Sequence, residues 1–458
     1  MTAKTASFPA QIKYMVGNEA CERFSFYGMR SILVIYMTQY LLLGKEDATA
    51  AYHVFVSACY LFPLLGAFLS DRFLGKYRTI FWLSLVYCAG HAAIAFREDR
   101  TWLFIGLSLI ALGSGGIKPC VSAYVGDQFT QENKHLVKAV YDIFYWSINF
   151  GSFFSTMLIP WMLPRYGPSV AFAVPGVLMA IATAVFWSAR SLYVNVPPSS
   201  KMGETGFMEI FFYSLRNLHR RKAGHDFLWI AKDKYRKEDV EAAEAAWGVF
   251  KLFITVSAFW ALFDQHGSTW VLQAKRMDLQ VGPWLFQASQ IAALNPAMVM
   301  VLIPIHSYLL YPAVEKLGVK VTPLRRMSAG MVLAAFSFVP IAMIETALDS
   351  GIRVSVAWQF IPYLLITMAE VMISITGLEF AYTQALKSMK STIMSFWLLT
   401  VFVGNLLTAY VSKINKFTGA GFFYFFAILM AAVSAVFILS ATRYKAREFL
   451  VSGSDAEK

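Results

Sequence analysis

The amino-acid sequence predicts an all-α protein that crosses a membrane about a dozen times, and three observations carry that prediction. Of its 458 residues, 57% are hydrophobic and only 15% charged, against roughly 25% charged residues in a soluble domain. The apolar runs, such as 81–95 and 421–441, are long and apolar all round. Membrane strands would instead need segments of about 10 residues with alternating polarity. Lys and Arg gather in alternate connections, which is the signature of inserted helices.

A crossing needs about 20 mainly apolar residues, and charged or Gly/Pro breaks divide the chain accordingly. The first span, 14–43, is apolar at its ends and charged in its middle. The spans 50–70 and 79–96 flank the basic loop of Arg72, Lys76 and Arg78. The spans 101–126, 138–163 and 169–190 follow, the last two parted by a Pro/Gly-rich break. After a polar stretch come 245–272 and 284–314, then 324–346 and 355–385, and finally 391–412 and 419–442.

Connections after odd-numbered spans carry few cations: Lys45; Arg97 and Arg100; Arg165; Lys275 and Arg276; Arg353; Lys413 and Lys416. The others are basic, with the 191–244 segment, Lys316, Lys320, Arg325, Arg326, Lys387 and Lys390. The basic side faces the cytoplasm, so both termini are expected there. The expected organisation is a six-helix bundle over 1–190, a cytoplasmic linker over 191–244, a second six-helix bundle over 245–448, and a tail over 449–458. The linker's run GFMEIFFYSLRNLHRRK is basic and amphipathic, suited to a membrane surface.

The formal net charge of +12 follows this topology and does not point to nucleic acid. Cys21, Cys59, Cys88 and Cys120 lie in apolar stretches without a CxxC and read as small buried side chains. The N-terminal residues lack a compact apolar run and a cleavage site, so the first span is expected to direct insertion. No P-loop, GxSxG or HExxH is present, which leaves ATP-driven and hydrolytic readings, including a membrane-embedded enzyme, without support. No metal or cofactor is implied, and no obligate protein partner.

Ionisable residues inside a span cost at least ~2.5 kcal/mol near the bilayer centre and face a cavity or one another. In the first span, Glu19, Glu22, Arg23, Tyr27 and Arg30 fall within an arc of about 140° at ~100° per residue. The bland reading is a helix-local salt-bridge cluster. Arg30 and Asp264 each lie about sixteen residues up a helix entered from the cytoplasm, at ~1.5 Å per residue, which puts both in the outer half. Lys118 and Glu370 lie about as far down helices entered from outside, in the inner half. One opposite-charge pair above the midplane and one below is what alternating gates need. The cations Arg23, Arg30 and Lys118 face four carboxylates, Glu19, Glu22, Asp264 and Glu370. A carboxylate left over lowers its cost by taking a proton. His53 titrates in a useful range, although a lone histidine is also a common packing residue. Tyr60, Trp260 and Trp397 supply apolar walls, and Asn149 and Asn295 two-way hydrogen bonds. Each of these is, singly, compatible with core packing.

Longer stretches carry a resemblance. GAFLSDRFLGKYR at 66–78 resembles the cytoplasmic loop motif of the major facilitator superfamily. ExxERFSFYGMR at 19–30, GSGGIKPCVSAYVGDQF at 113–129 and FYWSINFGS at 144–152 resemble the proton-dependent oligopeptide transporter family, as do WALFDQHGSTW at 260–270 and EVMISITGLEFAYTQA at 370–385. The resemblance implies two six-helix bundles around a central site and uptake of di- and tripeptides driven by the proton gradient alone. It implies proton coupling through Glu19, Glu22, Arg23, His53 and Asp264. Peptide contacts would come from Arg23, Tyr27, Arg30, Tyr60, Lys118, Asn149, Trp260, Asn295, Glu370 and Trp397. Arg23 and Lys118 would hold the carboxylate, and Glu370 with Asn149 and Asn295 the amine. Arg30 with Asp264 resembles the outer gate, Lys118 with Glu370 the inner one. Phe26 stands where the family often has Tyr, which should remove a hydroxyl from the pocket. The 191–244 segment is too short and charged for two extra helices, and 346–354 is too short for an animal-type insert, so a bacterial inner membrane is expected. A relative carrying nitrate or another small anion is the nearest alternative.

Overall fold

A computed structural model describes residues 8–130, 133, 136–198, 207–220, 226–384 and 389–444. The tail 449–458 and the loop cation Lys387 lie outside the described residues. The chain is built of helices: α1 (Ile12–Ile35), α2 (Lys45–Leu69), α3 (Lys76–Phe96), α4 (Arg100–Asp127) and α5 (Val137–Ser188), then the short α6 (Phe207–Arg216). There follow α7 (Lys237–Phe263), α8 (Thr269–Ala274), α9 (Leu294–Ile305), α10 (Tyr311–Lys316), α11 (Pro323–Asp349), α12 (Phe360–Glu370), α13 (Thr376–Thr383), α14 (Lys390–Ile414) and α15 (Ala420–Arg443).

Ten stretches are long and apolar enough to cross a bilayer. One of them, Ala139–Ser188, runs for 50 residues and breaks at Gly167, whose φ of 80° and ψ of 170° leave the helix. That break makes it two rods. The φ is open to glycine without a Cβ penalty. Helix α1 falls outside the ten because its middle carries Glu19, Glu22, Arg23 and Arg30, yet at 24 residues and ~1.5 Å each it is long enough to cross. The described residues therefore supply twelve rods of crossing length.

Helices α1 to α5 pack on one another, and α7, α9 and α11 to α15 form a second group. The groups meet along α2 against α14 and α5 against α9. Close approach inside the first group rests on small residues: a Cβ on Gly66 of α2 would stand 2.0 Å from the Gly116 carbonyl oxygen of α4. No side chain fits there, which explains the GSGG run on α4.

Two boundaries differ from the sequence reading. Helix α7 starts at Lys237, because Glu238 and Asp239 in its first turn suit the positive end of the helix dipole. The charged stretch 237–244 is thus the base of the seventh rod. The eighth span does not begin at 284: Gln280–Val281 and Trp284–Leu285 form a two-stranded antiparallel hairpin, β1 and β2, with Gly282 at a φ of 56° in its turn. Just before it, Asp278 pairs with Ser355. The Gln280 backbone N–H, and then Arg353, hold the Asp278 carboxyl below the usual carboxylate range.

Helix α6 packs one of its faces on the protein. Its Phe207, Ile210 and Ser214 are buried, with Phe207 against Phe396 and Phe211 against Phe227 and Trp247. Aromatic packing on the base of the second group covers this face. Met208, Phe212 and Leu215 remain exposed.

Candidate substrate cavity and its charge networks

A cavity of about 280 Å³ lies between the two helical groups. The first group contributes Tyr27, Arg30, Tyr60 and Asn149 to its wall, and the second Trp260, Asp264, Asn295, Glu370 and Trp397. Its two carboxylates arrive from interrupted helices. Asp264 sits at the end of α7, where the chain tightens into a 3₁₀ turn, Asp264–Gly267. Glu370 ends α12, immediately before a π turn, Val371–Ile375, a device found often at functional sites.

On the side of the α1–α2 and α7–α8 connections, here the outer side, the cavity is closed by a buried network. Arg30 Nη2 donates to Asp264 Oδ1 at 2.5 Å and Arg30 Nε to the Tyr52 hydroxyl at 2.5 Å. Asn405 Nδ2 donates to Asp264 Oδ2 at 2.7 Å. Its Oδ1 then faces His53 Nδ1 at 2.8 Å, so Nδ1 carries the proton. His53 Nε2 faces Ser268 Oγ at 2.8 Å; it accepts from the hydroxyl when the ring is neutral and donates to it when the ring is charged. One unbroken path thus runs Tyr52–Arg30–Asp264–Asn405–His53–Ser268. The fit is tight: a Cβ on Gly267 would stand 2.0 Å from the Tyr52 oxygen.

Every ion pair joining the two groups among the described residues is on this side. They are Arg30–Asp264 at 2.5 Å, Lys413–Asp47 at 2.5 Å and Lys45–Glu345 at 4.0 Å. The Ser57 hydroxyl adds a hydrogen bond to the Phe402 carbonyl across α2 and α14. Toward the other side, Glu370 Oε2 accepts from Asn295 Nδ2 at 2.7 Å. Neither Glu370 nor Lys118 has an ion-pair partner among the described residues. The Lys118 ammonium lies 4.6 Å from the ring centroids of both Phe26 and Tyr60, a cation–π arrangement that holds it behind the Tyr60 wall. Among the described residues, ion pairs join the two groups on the outer side and none joins them on the inner side.

Beneath the wall, Arg23 Nε lies 2.7 Å from Glu19 Oε1 and 3.1 Å from Glu22 Oε2. The helix-local cluster is therefore present. It extends to α4, where the Ser114 hydroxyl donates to Glu22 Oε1 at 3.0 Å. Glu19 and Glu22 are buried at 3% and 1% exposure, so this cluster is sequestered from solvent.

Of the residues singled out in the sequence, Tyr27, Arg30, Tyr60, Asn149, Trp260, Asn295, Glu370 and Trp397 line one cavity, and Asp264 joins them. Arg23 and Lys118 do not line it; each is held by nearer partners, the two glutamates and the two rings. His53 is one layer behind the wall, on Asn405. Phe26 is also off the wall, packed on Tyr27 and Phe55, because its side of α1 faces α2 and α4. The missing hydroxyl accordingly does not change the cavity lining. Sequence reasoning missed Tyr52, Tyr145, His266, Ser268 and Asn405. Tyr52 neighbours His53 in the sequence and could have been found from it.

A cavity with charged and polar walls, enclosed between two groups of membrane-length helices and latched, among the described residues, on one side only, defines a membrane transporter. The sequence pattern of the POT family matches residues 77–420, and the chain belongs to that family. A solved structure described as an auto-inhibited POT family peptide transporter is 40% identical, covers 97% of this chain and 99% of its own, and superposes with a TM-score of 0.90. The POT family transporter PepTSo is 39% identical over 96% and 99% of the two chains, also with a TM-score of 0.90. Human solute carrier family 15 member 2 is 38% identical over 365 residues, 75% of this chain and 50% of that protein. The chain spans about half the length of the curated relatives it matches. The family and these relatives are transporters, and the chain is one rather than an enzyme.

Proposed function

We propose that the protein imports di- and tripeptides together with protons by alternating access. The observation that carries this reading is a cavity with a guanidinium, Arg30, on one helical group and a carboxylate without a cationic partner among the described residues, Glu370, on the other. A zwitterion entering such a site loses hydration at both ends and needs a partner for each. Glu370 with Asn295 and Asn149 takes the amine. The carboxylate meets Arg30 first, and Lys118 and Arg23 after the Tyr60 ring turns aside. Tyr27, Trp260 and Trp397 provide apolar faces that accept many side chains. The family membership and the relatives named for peptide transport support the same substrate class.

Proton coupling uses the sequestered carboxylates and the outer network. Glu22, with Glu19 and Arg23, takes a proton in one half-cycle. His53 and Asp264 link protonation to the outer closure, since a charged His53 needs Ser268 as an acceptor. Lys118 and Glu370 form the inner latch in the opposite state. The expected setting is a bacterial inner membrane with both termini cytoplasmic, the two helical groups acting as two moving bodies joined by the segment that precedes Lys237. The proton gradient is the sole drive, with no cofactor. Uptake of labelled dialanine into liposomes under an imposed pH gradient tests this: accumulation that collapses with a protonophore supports it, and gradient-independent uptake or none overturns it.

A further inference from the structure

A second cavity, unrelated to the first, opens sideways between α11 and α15 on the inner side. Its volume is about 1210 Å³, and it continues through the shared residues Val332, Phe336 and Ile438 into a further apolar furrow of about 460 Å³. The furrow exists because Ala427, Ala431 and Ala435 repeat every four residues along one face of α15 and fill little of the space beside α11. Its walls are apolar through its depth, and Phe336 at 61% and Ile428 at 69% exposure stand along it. The mouth is polar, with further cations beside it. Arg325 and Thr442 line it, and Arg325 is held by a bond from Nη1 to the Lys320 carbonyl at 3.0 Å. The neighbouring Arg326 is paired with Glu379 at 3.5 Å, and Arg443 ends α15. Arg325 and Glu379 are the charged residues that line the mouth, and Lys320, Arg326 and Arg443 stand beside it, so the cations around it outnumber the carboxylate.

Depth matches a single leaflet. From Arg325 to Phe336 the helix rises about 16 Å at ~1.5 Å per residue, and half of a ~30 Å hydrocarbon core is about 15 Å. We propose that this groove is a binding site for an anionic phospholipid of the inner leaflet, its phosphate at Arg325 and one acyl chain along Val332, Phe336 and Ala435. A mouth flanked by cations on the cytoplasmic side above an apolar furrow between helices is the arrangement that selects such headgroups. An apolar face at this depth meets acyl chains, and the cations around the mouth favour anionic headgroups. The site is independent of the substrate cavity, so it stands whatever the cargo.

Native mass spectrometry of the full chain in detergent, supplied with phosphatidylglycerol or phosphatidylcholine, tests the site. The wild type should retain phosphatidylglycerol preferentially. Arg325→Gln should lower that retention about fivefold, the equivalent of ~1 kcal/mol per cation at an anionic headgroup, and leave phosphatidylcholine unchanged. Ala435→Phe, at a position already exposed, should reduce retention of both lipids. Lys416→Gln, on the opposite side, should change nothing. Equal retention of the two lipids by the wild type overturns the proposal, as does a Lys416→Gln effect as large as that of Arg325→Gln. Binding that appears only after deletion of 445–458 also overturns it, since the occupant is then the chain's own tail.

Discussion

Replacing Asp264 by Asn removes the charge at the centre of the outer closure while keeping its shape. Arg30 and Asp264 are 7% and 3% exposed, so solvent screens the pair little, and removing one partner of a buried pair costs about 3–5 kcal/mol. Part of that is recovered, because an Asn side chain still offers an oxygen to Arg30 Nη2 and because the Tyr52 bond to Nε survives. A net loss of about 2–3 kcal/mol in the outer-closed state shifts the balance of open to closed by roughly 30- to 150-fold. The assay is a cysteine at Ser152, on the cavity wall, in a background lacking the four native cysteines, labelled from outside intact cells by a membrane-impermeant maleimide. Asp264→Asn should raise the labelling rate at least tenfold over the parent. A rate within twofold of the parent would mean that the Arg30–Asp264 pair does not hold the outer side shut.

Gly267→Ala drives a Cβ toward the Tyr52 oxygen, 2.0 Å away, so Tyr52 must leave Arg30; labelling at Ser152 should rise, by less than for Asp264→Asn. Glu22→Gln should abolish accumulation against a gradient while exchange of labelled for unlabelled peptide continues, and undiminished uphill transport would remove Glu22 from coupling. N-acetylation of a dipeptide should weaken competition more than a hundredfold, on the ~3–5 kcal/mol cost of an unpaired buried charge; Glu370→Gln should narrow the gap between free and acetylated forms. Glu345, fully buried, accepts from Gln273 Nε2 at 2.8 Å and Arg276 Nη1 at 2.5 Å. Because Arg276 is 39% exposed, Glu345→Ala should cost about 1–3 kcal/mol, read as a lower thermal unfolding temperature.

Helix number and depth were legible in the sequence because hydrocarbon thickness and a fixed rise per residue are nearly context-free. The same arithmetic set Arg30 level with Asp264, and the two are bonded. It could not tell whether Lys118 meets Glu370, since that depends on which side of the cavity is shut. The clustering of Glu19, Glu22 and Arg23 was legible as shared helical face, but not the nearer partners that keep Arg23 off the cavity wall. The hairpin at 280–285 was hidden by apolar Trp284 and Leu285, which read as the start of a span. Asn405 was missed because one amide in an apolar helix carries no periodic signal; its role comes from facing Asp264 and His53 at once.

That double engagement explains how protonation and outer closure could be one event. Asn405 spends its Nδ2 on Asp264, which fixes its Oδ1 toward His53 and requires a proton on His53 Nδ1. A second proton on His53 must therefore go to Nε2, where Ser268 turns its hydroxyl away, and the nearest alternative acceptor for that hydroxyl is the Gln265 carbonyl at 3.5 Å. Gln265 and Ser268 bracket the short turn whose Gly267 touches Tyr52. Charging His53 thus acts on the same turn that seats Tyr52 against Arg30, a distance of one side chain. Asn405→Ala should uncouple the two. It frees the histidine tautomer and strips one donor from Asp264, so the pH dependence of outer labelling should flatten while the Arg30–Asp264 pair remains. If labelling in Asn405→Ala keeps the parent's pH profile, His53 communicates with the closure by another route.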